Sequence, residues 1–204
     1  MEAKERIIVA LDVPSLEEAL KLVEELHPYV GYFKVGLELL TSEGPPKVVQ
    51  AIKEKGGKIF YDGKFKDIPN TVAGASKAVA KLGVDMFNVH ASGGVEMMKA
   101  AVDNKGGSKV LAVTVLTSLS EEDAHSIYGA PSKGKVIEFA RWAKIAGVDG
   151  LICSPQELQV LGRQKKLDGL LRVTPGVRPN RASAGDQKRV MTPGETVKAG
   201  ATTW

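Results

Sequence analysis

The chain is 204 residues long, 43% hydrophobic and only 5% aromatic, which suits one well-buried core of aliphatic side chains, and without a Pro/Gly/Ser-rich linker residues 1–204 read as a single domain. A formal net charge of +4, spread over interleaved acids and bases, excludes the concentrated basic face that nucleic-acid binding demands. No apolar run approaches the roughly 20 residues that span a bilayer, and the charged start from Met1 to Arg6 lacks a signal peptide's apolar segment, so a cytoplasmic location with no membrane partner is expected.

Residues 6–12 form a continuous apolar run that ends in Asp12, the pattern of a strand covered on both faces. Ser15 and Glu18 have capping-box spacing, and Leu16, Ala19, Leu20, Val23 and Leu26 follow helical periodicity. A second strand over residues 32–36 places Lys34 among apolar neighbours, where a lysine demands a partner, and a helix follows over 46–55. The third strand, 59–61, runs into Asp62, Lys64 and Asp67, which fall at or just past its carboxyl end before Pro69 opens a helix to Leu82. A fourth strand (84–90) and helix (95–102) come next, then a fifth strand (109–115) and a longer connection through Glu121 and Asp123 to a helix over 135–146. The sixth strand, 148–153, holds the lone Cys153, a small core residue in this setting rather than a nucleophile. A short helix (155–161), a seventh strand (170–174), a Pro/Gly loop (175–179) and a helix (194–199) lead to residues 200–204, which begin an eighth strand.

Seven strand and helix units without an antiparallel hairpin signal point to a parallel α/β fold. A TIM (β/α)8-type barrel is favoured over an open doubly wound sheet, because polar residues sit at most strand ends and no Gly-x-Gly-x-x-Gly turn follows the first strand. A last strand and helix need roughly 20 further residues in a barrel of about 250. They are therefore expected to be largely missing from this chain, leaving an open edge between the seventh and first strands.

Parallel barrel strands bring their carboxyl ends to one rim, so Asp12, Lys34, Asp62, Lys64 and Asp67 converge into one polar cluster. Lysines alternating with carboxylates hold one another ionised in a poorly solvated cleft, and an ammonium there can deliver a proton to a developing carbanion. The competing reading is a surface salt-bridge cluster of little energetic weight. Asp12 alone reads as a helix-preceding acid, and Thr117 or Ser118 alone as a turn residue. His90 reads as a structural strand-end imidazole, while His27 and His125 look solvated and no histidine pair has metal-ligand spacing.

Taken together, Val-Ala-Leu-Asp12-Val-Pro-Ser, Phe-Lys34-Val-Gly-Leu-Glu, Asp62-Gly-Lys64-Phe-Lys-Asp67-Ile-Pro-Asn-Thr71, Asn-Val-His90-Ala-Ser-Gly-Gly, Val-Leu-Thr117-Ser and Thr-Pro-Gly-Val-Arg178-Pro, with Asp186-Gln187, resemble the orotidine 5′-phosphate decarboxylase family over essentially the whole chain. The resemblance implies metal-independent decarboxylation of orotidine 5′-monophosphate to UMP by a homodimer of barrels with shared active sites and neither metal nor organic cofactor. It implies that Lys34, Asp62, Lys64 and Asp67 form a charged tetrad, with Asp67, Ile68 and Thr71 reaching the partner subunit's site. In that pattern Lys64 protonates C6 as carbon dioxide leaves and Asp62 lies against the departing carboxylate. Asp12, Lys34 and Thr71 hold ribose hydroxyls, Thr117 and Ser118 lie near the pyrimidine, and Arg178 and Gln187 face the phosphate. The basic excess between Arg163 and Lys198 then has a reason.

Three departures from that pattern stand out. Gly63 replaces a usual leucine and is expected to loosen the strand between the catalytic charges. Lys66 adds positive charge beside the site. The family's phosphate-gripping Gly-Arg pair at the end of the eighth strand is not reached by Trp204, so phosphate affinity and turnover are both expected to suffer. Two alternatives remain open on sequence grounds. One is a non-catalytic or weakly active nucleotide-binding remnant; the other is a magnesium-dependent sugar-phosphate decarboxylase or synthase of the same barrel suite.

Overall fold

The computed structural model describes residues 2–178 and 191–204. Strands are separated by helices, two in a row after β2 and after β5: β1 (Ile8–Ala10), α1 (Leu16–Leu26), β2 (Tyr32–Val35), α2 (Leu37–Glu43), α3 (Pro45–Glu54), β3 (Ile59–Phe65), α4 (Pro69–Lys81), β4 (Met86–His90) and α5 (Val95–Asp103). There follow β5 (Lys109–Val113), α6 (Glu121–Tyr128), α7 (Ser132–Ala146), β6 (Gly150–Ile152), α8 (Leu158–Gly162), β7 (Leu171–Val173) and α9 (Pro193–Ala199).

Local chemistry accounts for the helix ends. The Ser15 hydroxyl accepts the Glu18 N–H at 3.3 Å to start α1, Pro69 occupies the first turn of α4, and α7 stops at Gly147, whose φ of 80° suits glycine. Two helices escaped the sequence reading. The charged connection after β5 folds into α6 because Ser120 and Asp123 form a reciprocal capping box, and the short α2 follows directly on Gly36. Each buries only one or two residues, so its apolar stripe is too sparse to register as periodicity.

The strands form one parallel sheet in the order β1 to β7. Its two edges meet through residues 202–204. The Thr202 N–H donates to the Arg172 carbonyl at 2.9 Å and the Thr174 N–H to the Thr203 carbonyl at 3.0 Å, while the Trp204 carbonyl accepts the Ile8 N–H at 2.7 Å and the Trp204 N–H donates to Arg6 at 2.9 Å. The open edge expected between β7 and β1 is thus corrected: three residues in the eighth-strand position satisfy backbone groups on both sides. The eighth strand is otherwise absent from the described residues, as anticipated.

Side-chain alternation along the strands sets the layers. Phe60, Met86, Leu111 and Val173 pack together inside the ring with Ile8, Tyr32 and Ile152, whereas the opposite face of each strand packs against the helices. Moving two residues toward the carboxyl end from Tyr32, Phe60 and Met86 gives Lys34, Asp62 and Asn88. The apolar plug is therefore roofed by a polar layer at the rim, and that layer is the site.

Candidate active site

The third strand differs from its expected extent in a way that matters. It continues through Asp62 and Lys64 to Phe65, so these charges belong to the strand rather than to a loop beyond it. Tyr61 pairs with Phe87 and Phe65 with Val89, which leaves Asp62, Gly63 and Lys64 facing the single residue Asn88. This bulge turns the backbone sharply, and Lys64 takes φ of 51°, the left-handed region, the only non-glycine to do so among the described residues.

Asp62 lies at the centre. Its side chain is 9% exposed and receives the Lys64 ammonium at 2.7 Å, the Lys34 ammonium at 3.3 Å and the Asn88 amide at 2.6 Å. Burial alone pushes the carboxyl pKa up, but the charges of Lys34 and Lys64 with the hydrogen bonds from Lys64 and Asn88 outweigh it, and the group is held below the usual carboxylate range. Lys34 also reaches Asp12 at 3.0 Å, so the lysine that demanded a partner has two. Gly36 leaves room for that pair: a β-carbon there would stand 3.3 Å from both Asp12 Oδ1 and Lys34 Nζ.

Asn88 was missed in the sequence, although it is a polar residue within the apolar strand Met86–His90 and only 1% exposed. Its amide orientation follows from chemistry, because a backbone N–H can only donate and a carboxylate only accept. Oδ1 takes the Lys64 N–H at 2.7 Å and Nδ2 donates to Asp62.

The geometry also revises the expectation for Gly63. The rings of Tyr61 and Phe65, with centroids 5.9 Å apart, converge over it, and a β-carbon would fall 2.5 Å from Tyr61 Cε1 and 3.1 Å from Phe65 Cε1. The volume expected to be a looseness is filled by aromatic packing from the same strand. Lys66 is exposed. Burial and the charges of Lys66 and Lys64 push the His90 imidazole down against the opposing pull of Asp62, which favours its neutral form.

The other expected site residues are dispersed. Asp67, Ile68 and Thr71 lie exposed where β3 gives way to α4; the Asp67 carboxylate accepts the Ile68 N–H at 2.7 Å and makes no ion pair with Lys34 or Lys64. After β5, Thr117 is buried and Ser118 exposed in the same turn. Arg178 follows β7, exposed, with its guanidinium donating to the Val177 carbonyl at 3.0 Å and its N–H to Met191 at 3.1 Å. Gln187 lies outside the described residues. Among those residues no three His, Cys, Asp or Glu side chains converge as metal ligands.

Residues 5–203 match the model of the family described as orotidine 5′-phosphate decarboxylase / HUMPS. The chain is 48% identical to the orotidine 5′-phosphate decarboxylase of Moorella thermoacetica, covering 98% of this chain and 83% of that protein. It is 45% identical to the enzyme of the same name from Syntrophomonas wolfei, covering 98% and 88%. The crystal structure of orotidine 5′-phosphate decarboxylase from Lactobacillus acidophilus superposes with a TM-score of 0.81 at 36% identity, over 97% of this chain and 87% of that one.

Proposed function

The chain belongs to the orotidine 5′-phosphate decarboxylase / HUMPS family, and on that premise we propose that its rim cluster performs the metal-independent decarboxylation of orotidine 5′-monophosphate to UMP in pyrimidine biosynthesis. The observation behind this reading is the Asp62 carboxylate, nearly buried and held ionised between two ammonium groups at the carboxyl-end rim of a parallel barrel.

The substrate's carboxylate at C6 lies against Asp62, and Lys64 stands beside the reacting carbon. The bond from C6 to the carboxylate breaks, its electron pair stays on C6, carbon dioxide leaves, and the Lys64 ammonium gives a proton to that carbon. A fixed ammonium in a partly desolvated cleft stabilises the developing carbanion more than water does, without reorganising. Asp62 crowds the leaving carboxylate while holding Lys64 in position. Lys34 and Asp12 take ribose hydroxyls, Thr117 and Ser118 flank the pyrimidine, and Arg178 faces the phosphate.

The reading extends to a homodimer in which Asp67, Ile68 and Thr71 enter the neighbouring site. It is supported by their exposure here and by two apolar side chains on the same rim, Leu37 at 57% and Ile68 at 66% exposed. It places the protein in the cytoplasm as a single domain. No described helix is long and apolar enough to cross a membrane.

The test is loss of the orotate absorbance when the purified protein meets orotidine 5′-monophosphate in excess EDTA. Turnover is expected, with Lys64→Ala reducing kcat at least about 100-fold, the lower end of what a positioned proton donor contributes. Failure to consume the substrate, or a magnesium-dependent reaction with a hexulose phosphate instead, overturns the reading. Light scattering checks the assembly: a mass of one chain at micromolar concentration contradicts the shared site.

A further inference from the structure

We propose that Asn88 is a positioning residue of this site: its carboxamide fixes where the Asp62 carboxylate and the Lys64 ammonium stand relative to each other. The inference rests on the functional reading above and adds a residue to it.

Because Asp62, Gly63 and Lys64 face one residue of β4, the ordinary ladder cannot satisfy the Lys64 N–H, and the Asn88 side chain takes that role at 2.7 Å. The same amide donates to Asp62 Oδ1 at 2.6 Å, the oxygen that also receives Lys64 Nζ at 2.7 Å. One planar group thus grips the backbone of the lysine and the side chain of its carboxylate partner. Lys64 needs such a grip, since a φ of 51° is unfavourable for a residue with a β-carbon and persists only where its surroundings hold it.

Asn88 is 1% exposed, in a strand whose other buried side chains, Met86, Phe87 and Val89, are apolar, so an aliphatic residue would satisfy burial alone. A buried carboxamide with donor and acceptor both used is the group that fits this pair of partners. The groups facing Asp62 are Lys34 from β2, Lys64 from its own strand, and Asn88 and His90 from β4, with Asp12 behind Lys34. Among them Asn88 is the one that carries no charge and does not titrate, so it can order the carboxylate without competing for its proton.

Asn88→Ala and Asn88→Asp test the proposal, measured on the full chain by steady-state kinetics across pH and by carbon NMR titration of the Asp62 carboxyl without ligand. Asn88→Ala is expected to lower kcat roughly 10- to 100-fold, as for one lost charge-assisted hydrogen bond, with KM changed less than about threefold. The acid limb of kcat moves up, because a carboxylate that loses a donor binds its proton more tightly. Asn88→Asp keeps the shape and the acceptor for the Lys64 N–H, replaces the donor by a second carboxylate, and is expected to lower kcat at least as far; it decides the matter alone if the alanine variant does not fold. A purely structural asparagine would change the melting temperature and leave the kcat-to-KM split and the acid limb where they are, and that result in either folded variant overturns the proposal. If the parent protein shows no decarboxylation, the functional reading fails. The NMR titration then still decides for Asn88: an upward shift of Asp62 in Asn88→Ala supports the contact's role, and an unmoved titration refutes it.

Discussion

Exchanging Asp62 and Asn88 between their strands separates the electrostatics of the cluster from its chemistry. In Asp62→Asn, three donors still converge on the position, Lys64 at 2.7 Å, Lys34 at 3.3 Å and Asn88 at 2.6 Å, but the new amide offers one acceptor oxygen and adds donors of its own. Removing one partner of a fully buried ion pair costs about 3–5 kcal/mol. The lysine side chains here are 22% and 32% exposed and keep part of their hydration, which brings the expected loss to about 2 kcal/mol. Asn88→Asp sets two carboxylates 2.6 Å apart, so the pair must take up a proton or endure the repulsion, at about 2–3 kcal/mol. The double exchange restores one carboxylate and one amide, with the amide again donating across the strands and the Lys64 N–H still accepted. Urea unfolding of the four proteins at pH 7 and one ionic strength is expected to give a coupling energy of about 3 kcal/mol, the double variant being more stable than either single one. Activity stays lost in the exchange, because the carboxylate has moved to the neighbouring strand. A coupling below about 0.5 kcal/mol, the level of sites that do not interact, would refute the idea that Asp62 and Asn88 act as one unit.

The remaining expectations follow from the same geometry. Because the Asp62 pKa is lowered in the folded protein, its contribution to stability is complete above the ordinary carboxylate range and fades as pH falls through the folded value; Asp62→Asn should flatten that acid limb, and an unchanged urea midpoint profile contradicts the assignment. Gly63→Ala forces a β-carbon to within 2.5 Å of the Tyr61 ring, so a loss of about 1–3 kcal/mol in thermal unfolding is expected, and full retention of stability would mean the rings yield freely. At Lys64, glycine and alanine should both lower kcat at least about 100-fold, yet Lys64→Gly should be the more stable by about 1 kcal/mol, since only alanine retains the penalty of a left-handed backbone. Equal stability of the two variants would place the strain elsewhere.

Much of the site was legible because barrel topology converts sequence position into place. Asp12 follows β1, and Lys34, Asp62 and Lys64 lie toward the carboxyl ends of β2 and β3; parallel strands in sequential order bring such positions to one rim. Asp67 carries the same type of charge in the same segment, but it lies outside the ion-paired cluster of this chain, exposed beyond β3. Sequence spacing could not tell the fates of Asp62 and Asp67 apart, since the apolar run ends at Tyr61 and nothing in the spacing shows that the strand continues to Phe65.

The sequence by itself determined the alternation of strands and helices, the sequential parallel order that the connections impose, and the collection of opposite charges at the carboxyl ends of the first three strands. Each of these depends on local periodicity or on chain direction. Tertiary structure decided the rest: the bulge that sets three residues of β3 against Asn88, the left-handed backbone of Lys64, the two rings that fill the space over Gly63, and the bridging of β7 to β1 by residues 202–204. These depend on the register between strands and on contacts between residues distant in the chain, such as Asn88 with Asp62 and Trp204 with Ile8. The hydrophobic pattern of a strand limits which face is buried, but which residues stand opposite one another, and where a bulge falls, is realised only when both strands are in place.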